Sequence, residues 1–250
     1  MIKKILLALA FSILIPSDID KSYEILNNIL GNYVNENGKV DYDGLINNPY
    51  NFNDFFYFLE KISPENKPEL FNTEDDEKAY WINAYNAIIL KIMIDNPGMN
   101  ILDINIIGHS IWFKKFTIGG KKISPFKIEN KILRKKYKDP RIHFAINCAS
   151  TSCPPLGARI LTGKNLNEQL NQKASIFINN NANVKIDNEN KTIYLNKIFK
   201  WFKKDFLAEN KTLNEYIFKY INKGELTINK STFISYKIKF IDYDWSINSQ

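Results

Sequence analysis

Ala79-Tyr80-Trp81-Ile82-Asn83-Ala84-Tyr85-Asn86-Ala87-Ile88-Ile89-Leu90-Lys91-Ile92-Met93-Ile94 is the stretch on which the fold turns. As a helix it is apolar around nearly its whole circumference, and such a helix belongs inside a core rather than on a surface. Upstream, Thr73-Glu74-Asp75-Asp76-Glu77 supplies a cap and an acidic first turn suited to the positive end of the helix dipole, and Pro97-Gly98 stops the helix. Asn83 and Asn86 are the polar exceptions, three residues apart and therefore on one face. Buried amides need partners: backbone, water, a catalytic side chain or a substrate, of which ties to neighbouring backbone are the commonest.

Outward from this helix, residues 22–33 and 53–62 have helical spacing, and Asn37-Gly38 turns the chain between them. Gly119-Gly120 between two short extended runs marks a hairpin. Ser124-Pro125 opens a helix to about residue 136, with serine as cap and proline at the first position. Residues 141–147 read as a short strand, 165–180 as a helix, and 184–186 with 192–195 as a second hairpin. Residues 198–206 and 213–221 read as helices, and alternation at Ile234, Tyr236, Ile238 and Phe240 as a half-buried strand. No linker or repeat interrupts residues 18–250. The expected fold is one α+β domain in which a central apolar helix packs with a small, mainly antiparallel sheet and surrounding helices.

With 250 residues, 44% hydrophobic and 14% aromatic, the chain can bury a sizeable core. The net charge is +7, yet only Arg134, Arg141 and Arg159 are arginines among 34 basic residues. Scattered lysine lacks the bidentate contacts of nucleic-acid readers, so no specific nucleic-acid partner is expected. Lys3 and Lys4, the apolar run 5–15 and Pro16-Ser17 have the layout of a secretory signal over residues 1–17. The run is too short to span a bilayer, so no transmembrane span is expected after cleavage, and the expected location is the periplasm or cell envelope.

The chemistry concentrates in Arg141-Ile142-His143-Phe144-Ala145-Ile146-Asn147-Cys148-Ala149-Ser150-Thr151-Ser152-Cys153-Pro154-Pro155, which holds both cysteines and one of two histidines. Cys148 is the candidate nucleophile. A thiol is mostly protonated at neutral pH and needs an imidazole or another positive group to become reactive. His143 is nearest in sequence, and Arg141 adds field. On a strand, however, a spacing of five puts the two side chains on opposite faces. They meet only if the strand ends before Cys148; otherwise His109, in Gly108-His109-Ser110, is the partner. Asn83 or Asn86 could orient the imidazole. In an oxidising compartment Cys148 and Cys153 could instead form a disulfide, structural or redox-active. Two cysteines and two histidines do not have the spacing of a zinc site, so neither metal nor cofactor is expected. Asp242, Asp244 and Trp245 could line a site or merely dock the last strand.

Several separated blocks together resemble the DUF547 family. They are Tyr80-Trp81-Ile82-Asn83-Ala84-Tyr85-Asn86-Ala87, Phe116-Thr117-Ile118-Gly119-Gly120, Ile132-Leu133-Arg134, the 139–156 block, Ile198-Phe199-Lys200-Trp201-Phe202 with Asp205-Phe206, and Asp242-Tyr243-Asp244-Trp245-Ser246. The resemblance runs from about Lys39 to Asn248 and implies a domain whose bacterial members are commonly exported. The chain departs from the pattern at Ile128-Glu129-Asn130, where the family commonly has Ile-Glu-His. Two functions follow as expectations. One is a thiol-dependent hydrolase or acyl transferase acting on peptide, amide or ester bonds in the envelope. The other is a non-catalytic envelope domain that binds a protein or ligand.

Overall fold

A computed structural model describes residues 17–48, 50–106, 109–225 and 227–250; the expected leader over residues 1–17 lies outside the described residues except for Ser17, which begins the first helix. The chain forms α1 (Ser17–Tyr33), α2 (Tyr42–Asn47), α3 (Tyr50–Lys61) and α4 (Glu74–Ile94), then a two-residue pair β1 (Asn105–Ile106) and β2 (His109–Ser110). The hairpin β3 (Phe116–Ile118) and β4 (Lys121–Ile123) follows, with Gly119 and Gly120 both at positive φ. This is the region a tight two-residue turn demands and glycine enters without strain.

The chain continues through α5 (Pro125–Lys127), a π-helix (Ile128–Tyr137) and a 3-10 helix (Pro140–Phe144) to α6 (Leu166–Ile178). Next come β5 (Val184–Asp187), β6 (Thr192–Leu195), α7 (Ile198–Trp201), α8 (Lys203–Phe206), α9 (Leu213–Tyr220), α10 (Lys230–Ser235) and β7 (Lys237–Phe240). β5 and β6 pair antiparallel, and β7 joins β6 in parallel. The class is α+β, as expected.

α4 is the central element. Thr73 and Asp76 form a reciprocal capping box at its start, and every residue from Lys78 to Leu90 is buried. Around it lies the larger apolar cluster, with α1, α3 and the β3–β4 hairpin. A second cluster is built from α6, the β5–β7 sheet and α7 to α10. The 3-10 helix straddles the two: Ile142 packs with the first and Phe144 with the second.

Four local expectations are corrected. Residues 141–147 are not a strand. Pro140 fixes φ at the first helical position and the Asp139 carboxylate accepts from Arg141 N at 3.0 Å, so the segment winds into a 3-10 helix. The helix opened by Ser124 and Pro125 widens to π winding from Ile128, and Lys138 ends it at φ 53. The expected helix over 198–206 breaks at Phe202, whose ring lies 4.0 Å from the His143 ring, stacked on it. Ile234 belongs to α10, begun by the Asn229 cap, so the last strand starts only at Lys237.

The two amides of α4 do what most buried amides do. Asn83 accepts from Leu161 N at 3.0 Å and donates to Leu161 O at 2.7 Å. Asn86 donates to Ala145 O and accepts from Asn147 N, both at 2.9 Å. Each side chain satisfies both polar groups of a strandless segment as a sheet neighbour would. Asn86→Ala therefore leaves a carbonyl and an N–H buried without partners. Urea unfolding should show a loss of roughly 2–3 kcal/mol; a loss under about 0.5 kcal/mol, the scatter of ordinary surface substitutions, would mean that other contacts hold this loop.

Candidate active site

Beyond Asn147 the backbone turns sharply, with Ala149 at φ 62 and wholly buried. A non-glycine residue in this region is strained by of order 1 kcal/mol and persists only where its surroundings hold it. Here the Asn147 Oδ1 accepts from Ala149 N at 2.7 Å, and Asn147 Nδ2 donates to Pro154 O at 2.8 Å. The C-terminal segment closes the other side: Asn248 N donates to Ala149 O at 3.1 Å and Thr151 N to Ser246 O at 2.8 Å. Cys148 is thus presented on a strained turn fixed from both flanks.

Its sulfur faces a cavity of about 290 Å³ at the seam between the two apolar clusters. Aromatic rings supply most of the wall, including Trp112, Phe126, Trp201, Phe202, Tyr243 and Trp245, with His143, Glu129, Asn130 and Cys153 as polar lining. Tyr243 and Ser150 surround the thiol. The Ser150 Oγ lies 3.1 Å and the Tyr243 OH 3.3 Å from Cys148 Sγ, and Ser150 donates to Tyr243 at 3.1 Å, which leaves the tyrosine proton for the sulfur. Cys148 N donates to Cys153 Sγ at 2.8 Å, and the two cysteines are unbridged.

Burial works against charge on either sulfur. Against it, hydrogen bonds from Cys153, Ser150 and Tyr243 bring Cys148 below the ordinary thiol range. Burial and the neighbouring Cys148 push Cys153 well above it. One thiolate in the pair is favoured and the second is not, which assigns the ionising sulfur to Cys148.

His143 is 3% exposed and not hydrogen-bonded to Cys148. Its Nε2 lies 2.8 Å from Asp205 Oδ2. Burial opposes the Asp205 charge, but His143 and Arg134 outweigh it and lower the carboxyl to about 2, so it is ionised and accepts. Burial holds the imidazole below its usual pKa, and Asp205 only partly offsets this. At neutral pH the ring is uncharged, with its proton on Nε2. The Nδ1 lone pair is buried and has no partner among the described residues. Arg134 clamps the same carboxylate, Nε to Oδ2 at 2.6 Å and Nη2 to Oδ1 at 3.3 Å.

Of the other residues singled out in the sequence, Asn83 and Asn86 bind backbone, and only Asn86 touches the cysteine loop. Arg141 is paired with Asp139, Nη2 to Oδ2 at 2.7 Å, and with Asn167 and Asn171, and it does not line the cavity. His109 begins β2 and its side chain lies outside what is described. Asp242 is exposed against Lys197, while Trp245 lines the cavity. Asn130 also lines it and accepts from Arg134 Nη1, so at this position the chain steadies the arginine rather than carrying a base. Asp205, Arg134, Glu129, Ser150 and Tyr243 were not predicted as site residues. Their only sequence signal was membership of the family blocks, because Asp205 and Tyr243 reach the site from 62 and 95 residues away in the chain.

Two measurements check these electrostatics. Iodoacetamide labelling of reduced protein across pH should give Cys148 an apparent pKa below the ordinary ~8.5, and Tyr243→Phe should raise it; an ordinary value unmoved by Tyr243→Phe would remove the activating role of the hydroxyl. Burial raises Glu129 from 4.5 to about 7, only partly opposed by Arg134 and Tyr85. A folded-state pKa above the unfolded one means that the stability tied to this group is complete below pH 4.5 and is lost as pH rises through 7. The wild type should lose on the order of 1–3 kcal/mol across that window. Chemical denaturation of Glu129→Gln should show that loss removed; an identical pH profile in both proteins would contradict it.

No curated protein and no solved structure matches the chain. The family match ends before Asp205 and Tyr243 but contains α4, the π-helix, His143 and both cysteines: residues 69–178 fit the model described as "Protein of unknown function, DUF547", and the chain carries a region of that family.

Proposed function

We propose that the protein is a thiol-dependent hydrolase or acyl transferase acting on peptide, amide or ester bonds, with Cys148 as nucleophile and His143 as base. One observation carries the reading: His143 lines the cavity that holds the Cys148 sulfur, and Asp205 fixes it through Nε2 while its buried Nδ1 has no partner among the described residues. A carboxylate that orients an imidazole whose second nitrogen is a bare base is the logic of a nucleophile, base and orienter triad.

The thiolate, steadied by Tyr243 and Ser150, attacks the acyl carbon. The C–N or C–O bond breaks as the thioester forms, and the leaving group takes up the proton released by the thiol. In the second half, water or an acceptor amine or alcohol attacks the thioester, gives its proton to Nδ1 and regenerates Cys148. Catalytic contacts that are loose in the free enzyme commonly tighten around substrate, which accommodates the missing sulfur to imidazole bond.

A second reading, a non-catalytic binding domain with an oxidised cysteine pair, is favoured by the Cys148 N to Cys153 Sγ contact. The proposed setting is the cell envelope and the proposed organisation a single domain over residues 18–250. Support for the setting comes from the leader-like sequence alone. Among the described residues no helix is long and apolar enough to cross a membrane.

The test is a panel of acyl p-nitrophenyl esters and chromogenic amides followed by intact-mass analysis. The reduced protein should gain one acyl group on Cys148, Cys148→Ala none, and Asp205→Asn should lower kcat/KM roughly a hundredfold or more. No adduct on any panel member, together with a mass lower by two hydrogens before reduction, would favour the binding reading instead.

A further inference from the structure

The cavity has a charge pattern that the thiol chemistry does not use. Glu129 lines it, and among the described residues it is the only carboxyl that does. Among the described residues its side chain has one hydrogen-bond partner, the Tyr85 hydroxyl, donating at a long 3.5 Å. The nearest cation, Arg134, is committed to Asp205 through both Nε and Nη2 and to Asn130. Since Arg134 and Asp205 cancel and His143 is neutral, an ionised Glu129 leaves the pocket with an uncompensated negative charge even when Cys148 is a neutral thiol, and the thiolate adds to it.

Aromatic rings line the same cavity. Trp201, Tyr243 and Trp245 form a mutually packed trio with centroids 4.5–5.7 Å apart. Trp201 is 46% exposed at the mouth, and Phe126, which packs on Phe113 at 5.1 Å, extends the wall. Rings attract an organic cation through their faces, and one carboxylate among them fixes its position.

We infer that this cavity binds the ammonium group of a substrate amine, with Glu129 as its counter-ion and the Trp201, Tyr243 and Trp245 rings as its walls. The inference deepens the thiol reading, resting on this cavity being the substrate site, and names an aliphatic amine as the part of the substrate that leaves or accepts the acyl group. An acceptor ammonium gives one proton to the Glu129 carboxylate and attacks the thioester as the free amine, and a leaving amine takes up a proton and is held by Glu129 as the ammonium. Glu129 is here a specificity-determining residue. It shares its surroundings with Tyr85 of α4, Arg134 on its own helix, His143 of the 3-10 helix, Asp205 of α8 and the thiols of Cys148 and Cys153. The thiols also titrate, so pH dependence is to be read in Cys148→Ala as well as in wild type.

The probes are n-pentylammonium and its neutral counterpart n-pentanol, followed by tryptophan fluorescence and calorimetry on the full chain. At pH 8 the ammonium should bind at least tenfold more tightly than the alcohol. The preference should shrink towards unity at pH 5 as Glu129 takes up its proton, and Glu129→Gln should lose it at both pH values. Cys148→Ala should keep it. Equal binding of the two probes at pH 8, no binding of either, or an undiminished preference in Glu129→Gln would each overturn the inference. Because Cys148→Ala carries the pH arm without the Cys148 thiolate, the result does not depend on how well Glu129→Gln folds. A preserved ammonium preference in a protein that forms no acyl adduct would retire the thiol chemistry and leave the amine site standing.

Discussion

The Asn86 amide is the contact on which the rest of the site depends. It stands on the most buried helix among the described residues and holds the carbonyl of Ala145 and the N–H of Asn147, on either side of Ile146. That fixes the backbone just before Cys148, so Asn147 can turn its own amide inward to hold Ala149 and Pro154. In a segment with no strand partner, one carbonyl and one N–H are thereby satisfied by a side chain as a sheet neighbour would satisfy them. Rigidity of this kind is what lets Ala149 remain in a conformation that a mobile loop would relax.

The position of the cavity follows from the two apolar clusters rather than from any one motif. The 3-10 helix crosses the seam, and its residues divide between the two sides. His143 lies on that crossing, roofed by Phe202 and tethered to Asp205, both from the second cluster's side. Cys148 leaves the same segment on a turn tied to α4. The proposed nucleophile and the proposed base therefore answer to different cores, although they stand only five positions apart.

This division explains what the sequence made legible. The central helix, its cap and the Gly119-Gly120 hairpin rest on local rules, periodicity, capping and turn geometry, and they stand where those rules put them. The 3-10 helix was misread as a strand because Ile142, Phe144 and Ile146 alternate with more polar neighbours, while the decisive signals were Asp139 and Pro140 just before them. Residues 198–206 have a helical apolar pattern, yet Phe202 leaves that winding to cover an imidazole far upstream in the chain. No local rule reports such a demand. For the site, the concentration of reactive residues in one block identified Cys148 and His143, but Asp205 and Tyr243 come from distant segments, and spacing along a chain carries no information about such meetings.

The closing contacts of the cysteine turn come from Tyr243, Ser246 and Asn248. Tyr243 lies 95 residues beyond Cys148, so the sulfur receives its phenolic hydroxyl, and the turn its second flank, only where two distant segments meet. Undocking of residues 243–248 would leave the thiol with Ser150 as its only hydroxyl partner and a less ionised sulfur, without any change in the cysteine loop itself. The ionisation of one sulfur thus reports whether that distant segment is seated.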